Sequence, residues 1–149
     1  MASELRRVGV YGRCVIEGSI LLTRLSSIEP EAGRWTLPGG GMEFGEHPVD
    51  TLRREFIEET GLVPEIGGLV DVRSRLLAAN ARRPGLHVLQ IVYDVTASGE
   101  PRVQEVDGST AEAAWVKLDR LAGYPLVDLA AWAAETVGFR SGSIGTVSS

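Results

Sequence analysis

Gly40-Gly41-Met42-Glu43-Phe44-Gly45-Glu46-His47-Pro48-Val49-Asp50-Thr51-Leu52-Arg53-Arg54-Glu55-Phe56-Ile57-Glu58-Glu59-Thr60-Gly61-Leu62 is the stretch on which the reading of this chain turns. It follows Pro38-Gly39, so three glycines in a row demand an unusual backbone path just before it. Pro48 suits the first position of a helix and Gly61 suits the residue just past its end. Between them Val49, Leu52 and Phe56 recur at helical spacing, which predicts an amphipathic helix over 48–60.

On that helix Glu55, Glu58 and Glu59 fall within an arc of roughly 100°. Glu55 and Glu59 are four apart and repel one another, and partial burial beside the apolar stripe enlarges the repulsion. Selection for stability alone gives little reason to keep such a cluster. A divalent cation gives one, because hard ions such as Mg²⁺ and Mn²⁺ prefer oxygen ligands and are used with phosphate substrates. Arg54 stands four residues before Glu58 and can pair with it. Glu46, just before the helix, lies near its positive end as a supporting carboxylate behind the ligands. His47 is a candidate cap for the same helix.

Working outward, Val8 to Tyr11 reads as a strand, and Cys14 to Arg24 as two apolar stretches joined by a turn at Glu17-Gly18-Ser19. Ser26 to Gly33 reads as a loop, and Arg34 to Leu37 as a short strand entering the glycines. Ile66 to Leu77, His87 to Thr96 and Ala114 to Leu118 are further strand candidates, and Pro125 to Val137 is an alanine-rich helix. The expected domain is residues 1–140, with 141–149 a small, polar, frayed tail. Strands alternating with two helices suggest a mixed sheet covered on both faces, an α/β fold.

A chain of 149 residues fits one domain. Its single cysteine, Cys14, excludes an internal disulfide and any multi-cysteine metal cage. The formal net charge of −5 argues against nucleic acid polymers and anionic membranes as partners. No apolar run approaches the length of a membrane span, and the first residues lack a signal-peptide core, so a cytoplasmic setting is expected.

Gly40 to Leu62 resembles a complete Nudix box: Gly40, five residues, Glu46, seven residues, then Arg54-Glu55-Phe56-Ile57-Glu58-Glu59-Thr60-Gly61-Leu62. Trp35 to Gly39 is similar to the strand that leads into the box, and Asp107 to Leu121 to the closing strand segment of many members. The resemblance implies an α/β/α sandwich with a mixed β-sheet and a hydrolase that cleaves a diphosphate linkage in a nucleotide. It further implies that Glu55, Glu58, Glu59 and the Gly40 carbonyl hold Mg²⁺ or Mn²⁺. Glu58 would orient or deprotonate the attacking water, Arg54 would steer Glu58, and a homodimer is a common working unit.

Beyond the box, Arg34, Arg73, Arg75, Arg82 and Arg83 are candidates for phosphate contacts, and Trp35 for stacking on a base. Glu105 and Glu112 are candidates for an extra ligand or base, with Glu112 preferred. His47 and His87 lack metal-ligand spacing. The competing reading is a catalytically silent Nudix-like module that senses a nucleotide. Such modules often lose box carboxylates, and here all are present. A nucleoside triphosphate, ADP-ribose and other nucleoside diphosphate derivatives all remain open as the substrate.

Overall fold

A computed structural model describes residues 4–146, with side chains described through residue 137. Eight strands and two helices follow in the order β1 (Glu4–Arg13), β2 (Val15–Ile16), β3 (Ser19–Leu25), β4 (Trp35–Thr36), β5 (Gly39–Gly41), α1 (Pro48–Thr60), β6 (Glu65–Leu77), β7 (Gly85–Thr96), β8 (Thr110–Lys117) and α2 (Asp128–Thr146). A 3₁₀ turn over Leu118–Gly123 precedes α2.

The first sheet has the order β5-β1-β7-β6. Its central pair, β1 and β7, is parallel, and both outer pairs are antiparallel, so the sheet is mixed. In the second sheet β3 pairs with β2, β4 and β8, all antiparallel. The turn between β2 and β3 is the two-residue Glu17-Gly18, with φ of 50° and 80°. Positive φ at both positions is what a tight hairpin with right-handed strand twist requires.

The two sheets share two cores. Val10, Leu21, Leu52, Phe56, Leu62 and Val95 form one, on the side of α1. Ile20, Leu22, Trp35, Leu37, Val92, Val116, Leu129 and Ala133 form the other, on the side of α2. The molecule is therefore the α/β/α sandwich expected. Phe56 is fully buried, so truncating it to Ala removes about 3–5 kcal/mol of stability.

α1 spans the residues the sequence predicts. His47 is its N-cap, with Nδ1 accepting from the Val49 N–H at 3.1 Å, and Gly61 ends it at φ 72°. Elsewhere the boundaries move. β8 begins at Thr110 rather than Ala114, because its pairing with β3 continues to Leu25. Helix α2 begins at Asp128 rather than Pro125. The Trp35 N–H donates to the Pro125 carbonyl and the Val127 N–H to the Trp35 carbonyl, which holds 125–127 extended. At its other end the α2 backbone continues through residues 141–146, where the sequence predicted a frayed tail. Extending an existing helix avoids the cost of nucleation, so a Gly- and Ser-containing segment can follow one. Residues 147–149 lie outside the described residues. No helix among the described residues is long and apolar enough to cross a membrane.

Candidate active site

Two elements build the site: the glycine strand β5 and the last two turns of α1. β5 lies antiparallel to β1, with Val10 opposite Gly40 and Tyr11 opposite Gly39. Gly39 has φ 146°, and a Cβ there would collide with the Val10 carbonyl and the Tyr11 backbone. Only glycine brings β5 this close. A Cβ on Gly40 would lie 2.6 Å from the Glu55 carboxylate, so the bare Cα makes room for that side chain.

Glu59 is 3% exposed, and it accepts from the Gly39 N–H at 3.0 Å. Burial pushes its pKa well above the ordinary carboxylate range, against the stabilising Gly39 N–H, and the charges of Glu55 and Glu105 push the same way. Glu55 is also raised, first by burial, with Arg54 opposing. Glu58 is the most open of the three on α1.

Arg54 organises the outer side of the cluster. It donates to both Glu46 oxygens, at 2.9 and 3.0 Å, and to Glu55 at 2.7 Å. It also pairs with Glu58, four residues on as the sequence predicts, at 3.6 Å, while its hydrogen bonds go to Glu46, Glu55 and, at 3.4 Å, the Gly41 carbonyl. A guanidinium forks readily onto one carboxylate, and Glu46 offers both oxygens. Glu46 also accepts from the Glu43 N–H and the Thr51 hydroxyl. Chiefly because of Arg54, its pKa falls to about 2.

A further carboxylate comes from the loop between β7 and β8. The N–H groups of Gln104 and Glu105 both donate to the Glu58 carbonyl, at 2.8 and 3.1 Å. This ties the loop to the end of α1 and brings Glu105 close enough to raise the pKa of both Glu55 and Glu59. Its Oε1 is buried with no hydrogen-bond partner among the described residues. A Cβ at Gly108 would occupy the space of that carboxylate.

The other sequence candidates are spread more widely. Glu112 lies on β8 and pairs with Arg24 at 3.2 Å. Trp35 is buried, edge-on to Tyr124 with ring centroids 5.6 Å apart. The exposed Arg34 donates to the Leu126 carbonyl. Arg73 pairs with Asp128 at 2.7 Å, and Arg75 is exposed on the same strand. Arg82 and Arg83 are exposed on the β6–β7 connection, and His87 contacts Ser74. Sequence reasoning missed Arg7, which lies over Gly41, and Tyr11, whose ring lies over Gly9. The alternation Arg7, Gly9, Tyr11 in β1 places all three on one face and was the available signal.

Crowded, partly buried carboxylates beside a glycine backbone, with one oxygen unpartnered, suit a divalent cation. Among the described residues no three acidic, His or Cys side chains already converge on one point as a preformed cage.

Residues 4–137 match the NUDIX domain, and the chain belongs to the Nudix family, as a hydrolase of the nucleotide pyrophosphohydrolase type. It is 35% identical over 101 residues to the nucleoside triphosphatase NudI of Escherichia coli O139:H28, covering 63% of this chain and 69% of that protein. The MutT NUDIX hydrolase of Burkholderia pseudomallei has 37% identity and a TM-score of 0.74, covering 87% of this chain and 96% of that one. The NUDIX domain of Shewanella oneidensis NrtR, solved with ADP-ribose, shares the fold at 21% identity and a TM-score of 0.71, covering 94% of this chain and 90% of that one. The family generally uses divalent metal cations.

Proposed function

We propose that this chain hydrolyses a diphosphate linkage in a nucleoside triphosphate, ADP-ribose or a related nucleoside diphosphate compound, releasing a nucleoside monophosphate or its equivalent. Mg²⁺ or Mn²⁺ would be held by Glu55, Glu58, Glu59 and the Gly40 carbonyl. The observation that carries this reading is that two carboxylates of α1 abut the glycine strand, Glu55 against the bare Gly40 Cα and Glu59 on the Gly39 N–H, with Glu105 near enough to raise the pKa of both. Similarity to NudI, named a nucleoside triphosphatase, favours the triphosphates within that class.

Bound cations neutralise the diphosphate and stabilise charge on the attacking and leaving oxygens. The chain's own residues do the rest. Glu58, the most open carboxylate, orients or deprotonates the attacking water. Glu105, with its free buried oxygen, is a second group able to take that proton or complete the ligand set. Arg54 fixes Glu55 and is itself held by Glu46, so neither carboxylate swings away when the site is empty of substrate. Arg7, beside Gly41, is placed to meet a phosphate. Free nucleotides rather than polymers fit the net charge of −5, and a homodimer is the proposed working unit.

A panel of nucleoside triphosphates and nucleoside diphosphate sugars, read by phosphate release with added phosphatase, tests the reading. Turnover that needs Mg²⁺ or Mn²⁺ and stops on chelation is expected. Full activity of a metal-stripped sample in excess chelator would remove the carboxylates' proposed role. A wild type that turns over nothing, yet melts at a higher temperature with a nucleotide, would favour the sensing module.

A further inference from the structure

Residues opposite one another across a sheet share a face. One such row of the first sheet runs Gly41, Gly9, Gln90, Arg73, from β5 to β6. It faces α2, because Arg73 pairs with Asp128 and its guanidinium lies 4.8 Å from the ring centroid of Trp132. At the β5 end the row adjoins Gly40, which points to the opposite face, where Glu55 lies, so the two faces meet at the β5 edge of the sheet. Arg7 and Tyr11, from neighbouring rows of the same face, lie over Gly41 and Gly9. With strands about 4.8 Å apart, Gln90 stands roughly 10 Å across the sheet from Gly41. That is comparable to the reach from the phosphates of a nucleotide to its base.

Gln90 is 8% exposed. Its Oε1 accepts from Arg73 Nη1 at 3.4 Å, while Asp128 and Trp132 hold that guanidinium in place. With Oε1 taken by Arg73, Nε2 is the end of the amide that a ligand acceptor would meet.

We propose that Gln90 is a specificity-determining residue whose Nε2 donates to a carbonyl oxygen on the base of the bound nucleotide. Bases with a carbonyl at that edge (guanine, uracil, thymine) are favoured over those with an amino group there (adenine, cytosine). Arg73 is the positioning residue that occupies Oε1 and so leaves Nε2 as the end that meets the base. The inference rests on the nucleotide reading above, with the phosphates at the Glu55–Glu59 end.

The test measures kcat/KM of the wild type, Gln90→Leu and Gln90→Glu on dGTP, dTTP, dUTP, dATP and dCTP. These substrates share one triphosphate and one metal requirement, so their ratios isolate the base. The wild type should prefer the carbonyl bases by about ten-fold or more. Gln90→Leu should lose about ten- to a hundred-fold on those bases and little on the others, collapsing the ratio. Gln90→Glu, which can only accept, should turn the preference toward dATP and dCTP. Thermal melts of the three proteins report folding separately. A purely structural Gln90 would lower all five substrates alike, and either that result or unchanged ratios would overturn the assignment. A wild type without the carbonyl preference would do so as well. A wild type that turns over none of the five would overturn the triphosphate reading itself, a different result from turnover without discrimination.

Discussion

The Gly39 N–H donates to the carboxylate of Glu59 at 3.0 Å, joining the glycine strand to the last turn of α1 across twenty residues of sequence. The bond makes a buried charge tolerable, but burial still dominates and favours the protonated acid. Glu59→Gln keeps an acceptor for Gly39 while removing the charge. In the absence of metal its melting temperature should stay level or rise. Turnover should fall by about two orders of magnitude or more, as expected for losing a ligand charge that stabilises the transition state. The rise in melting temperature caused by Mg²⁺ should shrink in parallel. A variant with full turnover would take Glu59 out of the site.

Glu58→Gln separates chemistry from folding more cleanly, because the Glu58 carboxylate is partly exposed and its ion pair with Arg54 is long, at 3.6 Å. The expected result is an unchanged melt and a fall in kcat of about two orders of magnitude. Its ion pair with Arg54, at 3.6 Å and partly solvated, contributes less than about 1 kcal/mol. A stability loss of several kcal/mol would show that Glu58 holds the fold instead.

The glycines of β5 should differ in what they tolerate. In Gly40→Ala the new Cβ meets the end of a side chain, the Glu55 carboxylate, and displaces it from its ion pair with Arg54 rather than moving backbone. Stability should drop by only about 1 kcal/mol, while activity and metal-induced stabilisation drop sharply. In Gly39→Ala the collision is with the backbone of β1 at a φ of 146°. That variant should lose several kcal/mol or fail to fold. Urea titrations of both proteins give the comparison, and equal losses would contradict the geometry.

Cys14 is fully buried, and burial pushes its thiol pKa from 9.0 up to about 12. The folded protein should therefore resist alkylation at pH near 9 and react only when unfolded by urea. A folded pKa above the unfolded one means this stability is present below pH 9 and is lost as the pH climbs toward about 12. Cys14→Ala should flatten that alkaline slope. Rapid labelling of the native protein would show the thiol to be accessible.

Legibility in the sequence tracked how local each signal is. Helix α1 could be read to its ends because His47, Pro48 and Gly61 act within one turn of the boundaries they set. The Glu55, Glu58 and Glu59 arc follows from helical period alone, and Glu46 and Arg54 do come together beside it. Glu105 and Glu112 look alike as isolated acids. What separates them is the pair of hydrogen bonds from the Gln104 and Glu105 backbone to Glu58, a tertiary contact without periodic trace. Gln90 was invisible for a related reason: its row depends on the register of β1 against β7, which no local pattern encodes.

That parallel register also bears on how the chain reaches its native state. Glu4 pairs with Gly85 and Arg13 with Asp94, a separation of 81 residues in both cases. β3 waits still longer, since Ser19 pairs with Lys117. During synthesis β1 therefore emerges with its β7 side unpaired until most of the chain has been made. Contacts of such long range slow folding, because loop closure must be accomplished before the contacts stabilise anything. The loop carrying Glu105 lies between β7 and β8 in the chain, so during synthesis this carboxylate emerges well after the glutamates of α1. Partly made or truncated chains present the glutamates of α1 to water, still unassembled.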